Sequence, residues 1–93
     1  MEYFIVVCEW NYPTESGRDI IGDYDTRKEA ERAAKKEYDD ELDNFQTVTN
    51  GLYREACGPY HDEQGNVEGY QLHSSQWENE DFVFRSVIIK REL

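Results

Sequence analysis

The first apolar segment, Tyr3 to Asn11, is apolar on both of its alternating faces. One face carries Phe4, Val6, Cys8 and Trp10, and the other carries Tyr3, Ile5 and Val7. Such a strand predicts a central position in a sheet, with cover on at least part of each side. The following PTESG, Pro13 to Gly17, has turn composition. A short strand at about Arg18 to Tyr24 is expected to pair antiparallel with the first.

The period then changes from two to four. Ala30, Ala34, Tyr38 and Leu42 recur at i+4 spacing, with Phe45 beyond them, and predict a helix from about Arg27 to Asp43 with this stripe buried. Thr26 and Glu29 form a T-x-x-E capping box at its start. Past the helix, Asn50-Gly51 between Thr-Val-Thr and Leu-Tyr is a hairpin signal, because a type I′ turn needs positive φ at both central residues. A turn at about Asp62 to Asn66 joins a strand at Leu52–Ala56 to one at Val67–His73. The polar SSQWENED follows, and Phe82 to Lys90 is the last strand, rich in β-branched and aromatic residues. The expectation is a single α+β domain over 1–93, with one helix packed on a mostly antiparallel sheet in the order β-β-α-β-β-β-β.

Composition narrows the function. A chain of 93 residues hides roughly 60–70% of its unfolded surface, enough for one modest core. The 14% aromatic content argues against disorder despite a mean hydropathy of −0.95. Net charge is −11, with 21 acidic and 10 basic side chains. Direct nucleic-acid binding is not expected, since phosphate contact needs clustered bases. Anionic membranes should repel the chain, and no apolar run approaches a transmembrane length. The start MEYFIVVCEW has no basic n-region and too short an apolar run for a signal peptide, so a cytoplasmic location is expected. Cys8 and Cys57 lack CxxC spacing and are expected to be reduced and packed.

The acids are unevenly placed. Arg27, Lys28, Arg32, Lys35 and Lys36 dominate the first part of the helical segment. Glu37, Asp39, Asp40, Glu41 and Asp43 follow, with no base among them. For a helix ending at Asp43 this reverses what the macrodipole favours at both ends. The pairs Glu31–Lys35, Lys35–Asp39 and Lys36–Asp40 recover part of the cost, Glu37–Glu41 and Asp39–Asp43 add to it, and the net is about 1 kcal/mol. At 100° per residue Asp39, Asp40 and Asp43 lie opposite the apolar stripe while Glu37 and Glu41 flank it. The five carboxylates span roughly 10 Å, comparable to a few phosphates at about 3.4 Å each. Such a row suits a phosphate-binding groove on another protein; the bland alternatives are a solvated face that keeps a small protein soluble, or a helix that frays at Tyr38 with an acidic loop beyond. Glu78, Glu80 and Asp81 form a second cluster beside Trp77, a candidate interface anchor.

Chemistry is weakly signalled. Cys57-Gly-Pro-Tyr-His61 has no Asn or Asp at a spacing that would orient a cysteine–histidine pair. His61, Asp62, Glu63 and His73 could meet across a hairpin as metal ligands, but without H-x-H or HExxH spacing. DEQGNVE lacks the alternating order of a calcium loop. No catalytic role, metal or cofactor is therefore expected.

Two resemblances add to this. DIIGDYDTRKEAERAAKK, about a fifth of the chain, resembles the strand–turn–helix of many small bacterial and phage proteins; this implies a fold fragment and no activity. The whole profile (short, strongly acidic, aromatic-rich, without motif) is similar to phage-encoded inhibitors of host defence such as anti-CRISPR proteins and DNA mimics. That resemblance implies a protein inhibitor presenting carboxylates where a nucleic-acid enzyme expects phosphate. No residue-level motif matches, so no family site carries over. The alternative expectation is a small intracellular accessory module that packs on a partner through apolar or sheet-edge contacts.

Overall fold

The computed structural model describes residues 1–12, 15–49, 54–76 and 80–92, and places side chains for 1–12, 15–43, 58–73 and 83–92. Five strands and one helix follow in the order β1 (Glu2–Asn11), β2 (Ser16–Tyr24), α1 (Arg27–Thr49), β3 (Arg54–His61), β4 (Val67–Gln76) and β5 (Glu80–Glu92). The strands form one sheet, β2-β1-β5-β4-β3, with antiparallel neighbours throughout and α1 packed on one face. The fold is α+β, and the two-faced apolar strand β1 lies inside the sheet, flanked by β2 and β5.

One expected strand is absent. Thr47, Val48 and Thr49 complete the helix and do not open a hairpin. Their β-branching opposes helix by only a few tenths of a kcal/mol each, while every added residue in a nucleated helix gains a hydrogen bond. No Gly or Pro interrupts the helix before Thr49. Asn50-Gly51 lies outside the described residues. β3 runs through Pro59, which the ladder tolerates because β3 is an edge strand. β4 and β5 extend past their expected ends, through Gln76 and from Glu80.

Local signals act as expected at the helix start. The Glu29 amide donates to Thr26 Oγ1 at 3.2 Å, and Thr26 Oγ1 donates to the Glu29 carboxylate at 3.2 Å. Ala30 and Ala34 are fully buried, Tyr38 nearly so, and Leu42 partly. They meet Phe4, Val6, Cys8, Leu72, Phe84 and Ile88 on the sheet. The two alanines let the helix come close enough for buried Ser86, on β5, to donate its hydroxyl to the Ala34 carbonyl at 2.8 Å. Tyr38 packs on Tyr70 with ring centroids 5.6 Å apart.

A bulge breaks the β1–β2 register between Val6 and Val7. Val6 faces Gly22 and Val7 faces Ile20, which leaves Ile21 as the extra residue, packed under the helix. Ile20 is thereby turned to the opposite face, where it is 70% exposed. On that face Val7, Val87 and Gly69 are in register across three strands. A Cβ on Gly69 would meet Tyr60 Oη at 2.6 Å, so the tyrosine ring lies directly across the glycine and partly covers this side.

Replacing Ser86 by Ala removes one buried hydrogen bond while the Ala34 carbonyl keeps its place in the helix. The expected loss is about 1 kcal/mol, read as a fall in Tm of ~4–8 °C for a domain of this size. Gly69→Ala places a methyl 2.3 Å from the Ser86 carbonyl oxygen, and its expected cost is the larger of the two, about 1–3 kcal/mol.

Candidate functional site

The five helix carboxylates point in different directions. Asp39 and Asp40, with side chains 49% and 60% exposed, are held by Lys35 at 2.8 Å and Lys36 at 3.1 Å, two of the three expected i,i+4 pairs. Each lysine is shifted upward, first by this hydrogen bond and then by the carboxylate's charge. Asp43 is exposed. Glu37 and Glu41 are half-buried at the edge of the apolar stripe and turn toward the sheet. Because α1 continues to Thr49, all five lie inside the helix, and the expected clash with its C-terminal dipole does not arise. The macrodipole acts only within the terminal turn, which here is uncharged.

Glu37 and Glu41 close one side of a cavity of about 250 Å³ at the end of the sheet. Cys8 and Trp10 of β1, Ile21 of β2 and Phe84 of β5 supply its apolar surface, and Tyr12 adds a phenol. Asp19 of β2, which pairs with Cys8 across the strands, and Glu15 bring the carboxylates around it to four. The β1–β2 hairpin is closed by two backbone bonds, from the Tyr12 amide to the Glu15 carbonyl at 2.7 Å and in return at 3.3 Å. This closure fixes both residues at the rim. The Tyr12 hydroxyl donates to the Glu41 carboxylate, tying hairpin to helix. Burial first, and that hydrogen bond second, push the Tyr12 phenol far above its ordinary range. Cys8 is pushed up to about 12, by burial and then by the charges of Glu37, Asp19 and Glu41. Its thiol is therefore protonated at neutral pH and a poor nucleophile.

Trp10 owes its position to Gly17, its cross-strand partner. A Cβ there would stand 2.4 Å from the indole Cζ2, so the ring can lie flat on β2 only because residue 17 has no side chain.

The sequence-based expectation named Glu37 and Glu41 but missed Glu15 and Asp19. Their only signal was an acidic residue on each side of Gly17, too weak to single out. Of the second cluster, Trp77 and Glu78 lie outside the described residues. Glu80 and Asp81 are placed by backbone alone, opposite Gln76 and Ser75. The register Asn11↔Val83 nevertheless puts their segment at the same end of the sheet as the Tyr12–Glu15 hairpin. At the other end bases and acids are mixed: Arg27 stacks over Phe4 at 5.0 Å, and Lys90 is paired with Glu2 at 2.9 Å and with Glu92 at 3.9 Å.

The other candidates do not assemble. His61 pairs with Val67 and His73 with Ala56, well apart along the β3–β4 ladder, and the Cys57 side chain lies outside the described residues. Among the described residues no three of His, Cys, Asp and Glu are placed to hold a metal ion. Asp62 serves the turn: its carboxylate accepts first from the Asn66 amide and then from the Gln64 amide, each at 2.9 Å, which holds it below the usual carboxylate range. Among the described residues no helix is long and apolar enough to cross a membrane. No family model, curated protein or solved structure matches the chain.

The Asp62 turn gives a pH signature. Its folded value is depressed, so its stabilisation is complete above the ordinary value of 3.8 and fades as pH falls below that through the depressed value. Asp62→Asn is expected to lower Tm at pH 7 and to flatten the acid limb of the Tm-against-pH curve below about pH 4.

Proposed function

We propose that this chain is a non-catalytic, cytoplasmic protein inhibitor. It seats its acidic end in a basic, nucleic-acid-binding groove of an enzyme, a CRISPR effector being the example suggested by its profile. The observation that carries the reading is a local concentration of carboxylates: Glu15, Asp19, Glu37 and Glu41 surround the cavity at one end of the sheet, and Asp39, Asp40 and Asp43 extend the negative surface along the outer helix. With a net charge of −11, the field of the whole protein would steer that end toward a basic groove and produce fast, salt-sensitive association. In the complex Asp39 and Asp40 would exchange Lys35 and Lys36 for bases of the target. Exposed ion pairs are worth little in water, so this exchange costs little.

A second reading is favoured by the open face of the sheet. There Ile20 is largely exposed and Ile5, Val87 and Ile89 are half-covered. An accessory module docking through this face would bind by apolar contact, with little dependence on salt.

Capture from a bacterial lysate on the tagged protein, followed by a salt gradient, separates the two. Acidic recognition should release a basic nucleic-acid enzyme at moderate salt, and competing DNA should displace it. The triple variant D39K/D40K/D43K, altered only at solvent-facing positions, should lose at least ~100-fold in affinity for that enzyme with its fold unchanged. Undiminished capture by the triple variant would overturn the charge reading. A partner retained through high salt and lost in Ile20→Asp would establish the other.

A further inference from the structure

We propose that the cavity between Glu37, Glu41 and the β1–β2 hairpin receives the guanidinium head of an arginine presented by the partner protein. That an arginine arrives on a protein rests on the function proposed above; the chemistry of the cavity stands without it.

Three features define the occupant. The cavity combines the rings of Trp10, Tyr12 and Phe84 with carboxylates on opposite sides, Glu37 and Glu41 from the helix and Glu15 and Asp19 from the hairpin. Aromatic faces attract a cation, and a site that is partly desolvated strengthens that attraction. Among the described residues no base lines the cavity to neutralise it. Lys36, the nearest lysine in sequence to Glu37, is engaged by Asp40.

Size and geometry then choose among cations. About 250 Å³ falls below the ~300–1,000 Å³ of pockets for drug-sized ligands and suits one side-chain head. A metal ion is a poor fit, because the carboxylates do not converge as ligands. An ammonium is compact and strongly hydrated, whereas a guanidinium is planar, weakly hydrated, stacks on rings and forks onto carboxylates. The buried Cys8 thiol is consistent with this: it lies in the wall, remains protonated, makes no hydrogen bond among the described residues, and its sulfur can accept weakly from a guanidinium N–H.

The cavity is also held in shape before any ligand arrives. Gly17 lets the Trp10 indole lie flat, the paired backbone bonds fix Tyr12 and Glu15, and the Tyr12 hydroxyl bond to Glu41 locks the helix side to the hairpin side. Preorganisation of this kind lowers the ordering cost of binding.

The test needs no partner. In a Trp77→Phe background Trp10 is the remaining indole, and its emission reports titration with N-acetyl-arginine amide. Two controls share its backbone: N-acetyl-citrulline amide, of the same shape without charge, and N-acetyl-lysine amide. The expected result is a saturable change with arginine at millimolar concentration, a weaker one with lysine and none with citrulline. Glu37→Gln and Glu41→Gln should each weaken arginine binding about tenfold. Amide-resolved NMR on the unmutated protein supplies the check that depends on no variant, through shifts confined to the Trp10 indole N–H, the Gly17 amide and their neighbours. Equal responses to arginine and citrulline, or to arginine and lysine, would overturn the assignment, as would unmoved Trp10 and Gly17 resonances. Because no partner takes part, failure here is distinct from failure of partner capture, which is judged on salt and DNA competition.

Discussion

The close seating of α1 on the middle of the sheet is the constraint from which the rest follows. Ala30 and Ala34 bring the helix backbone down to the strands, and Ser86 fastens it there through the Ala34 carbonyl. Only small residues permit that approach, and a polar side chain buried beneath it must find a partner. Ser86 finds it in the helix itself. With the axis fixed at this point, the next turn lowers Tyr38 onto Leu72 and Tyr70, and the same rotation carries Glu37 and Glu41 over the gap beside β2. The acidic cavity is thus a consequence of where two alanines and a serine place a rigid rod.

The same geometry sorts the carboxylates by environment. Asp39 and Asp40 on the outer helix face water and find lysines one turn away, so their charge is locally compensated. Those on the flank face a sheet end lined by aromatic rings, where no base lines the cavity among the described residues. Charge number alone therefore describes this surface poorly: the uncompensated part is displaced from the outer helix toward the hairpin. The helix tolerates its acids because its final turn carries no charge.

Much of the fold was legible in the sequence because its signals are local. The Thr26–Glu29 box, the Ala30/Ala34/Tyr38/Leu42 stripe, the Asp62 turn and the two-faced strand at the start each depend on residues a few positions apart. The helix end was misplaced because Asn50-Gly51 speaks only for a turn and is silent on how far the preceding helix propagates. Of the site, Glu37 and Glu41 could be assigned to the flank of the helix by angle alone. That Asp19 and Glu15 face them could not, because a single-residue slip reverses every side chain in a strand. The bulge at Ile21 is such a slip, and it is set by pairing with β1, which a one-dimensional reading does not contain.

The pairing of β1 with β5 bears on how the protein comes to exist in a cell. β1 and β5 are adjacent inside the sheet, with Val7 opposite Val87, so this ladder closes a loop that spans the other three strands and the helix. During synthesis β2 and α1 emerge beside β1, yet the strand carrying Ser86 and Phe84 leaves the ribosome after the other strands of the sheet, and until then the apolar edge of β1 has no partner. Topologies dominated by such distant contacts fold slowly, and an unpaired apolar strand is exposed to other chains meanwhile. The high density of like charge opposes such encounters, because copies of net charge −11 repel one another while that edge waits for β5.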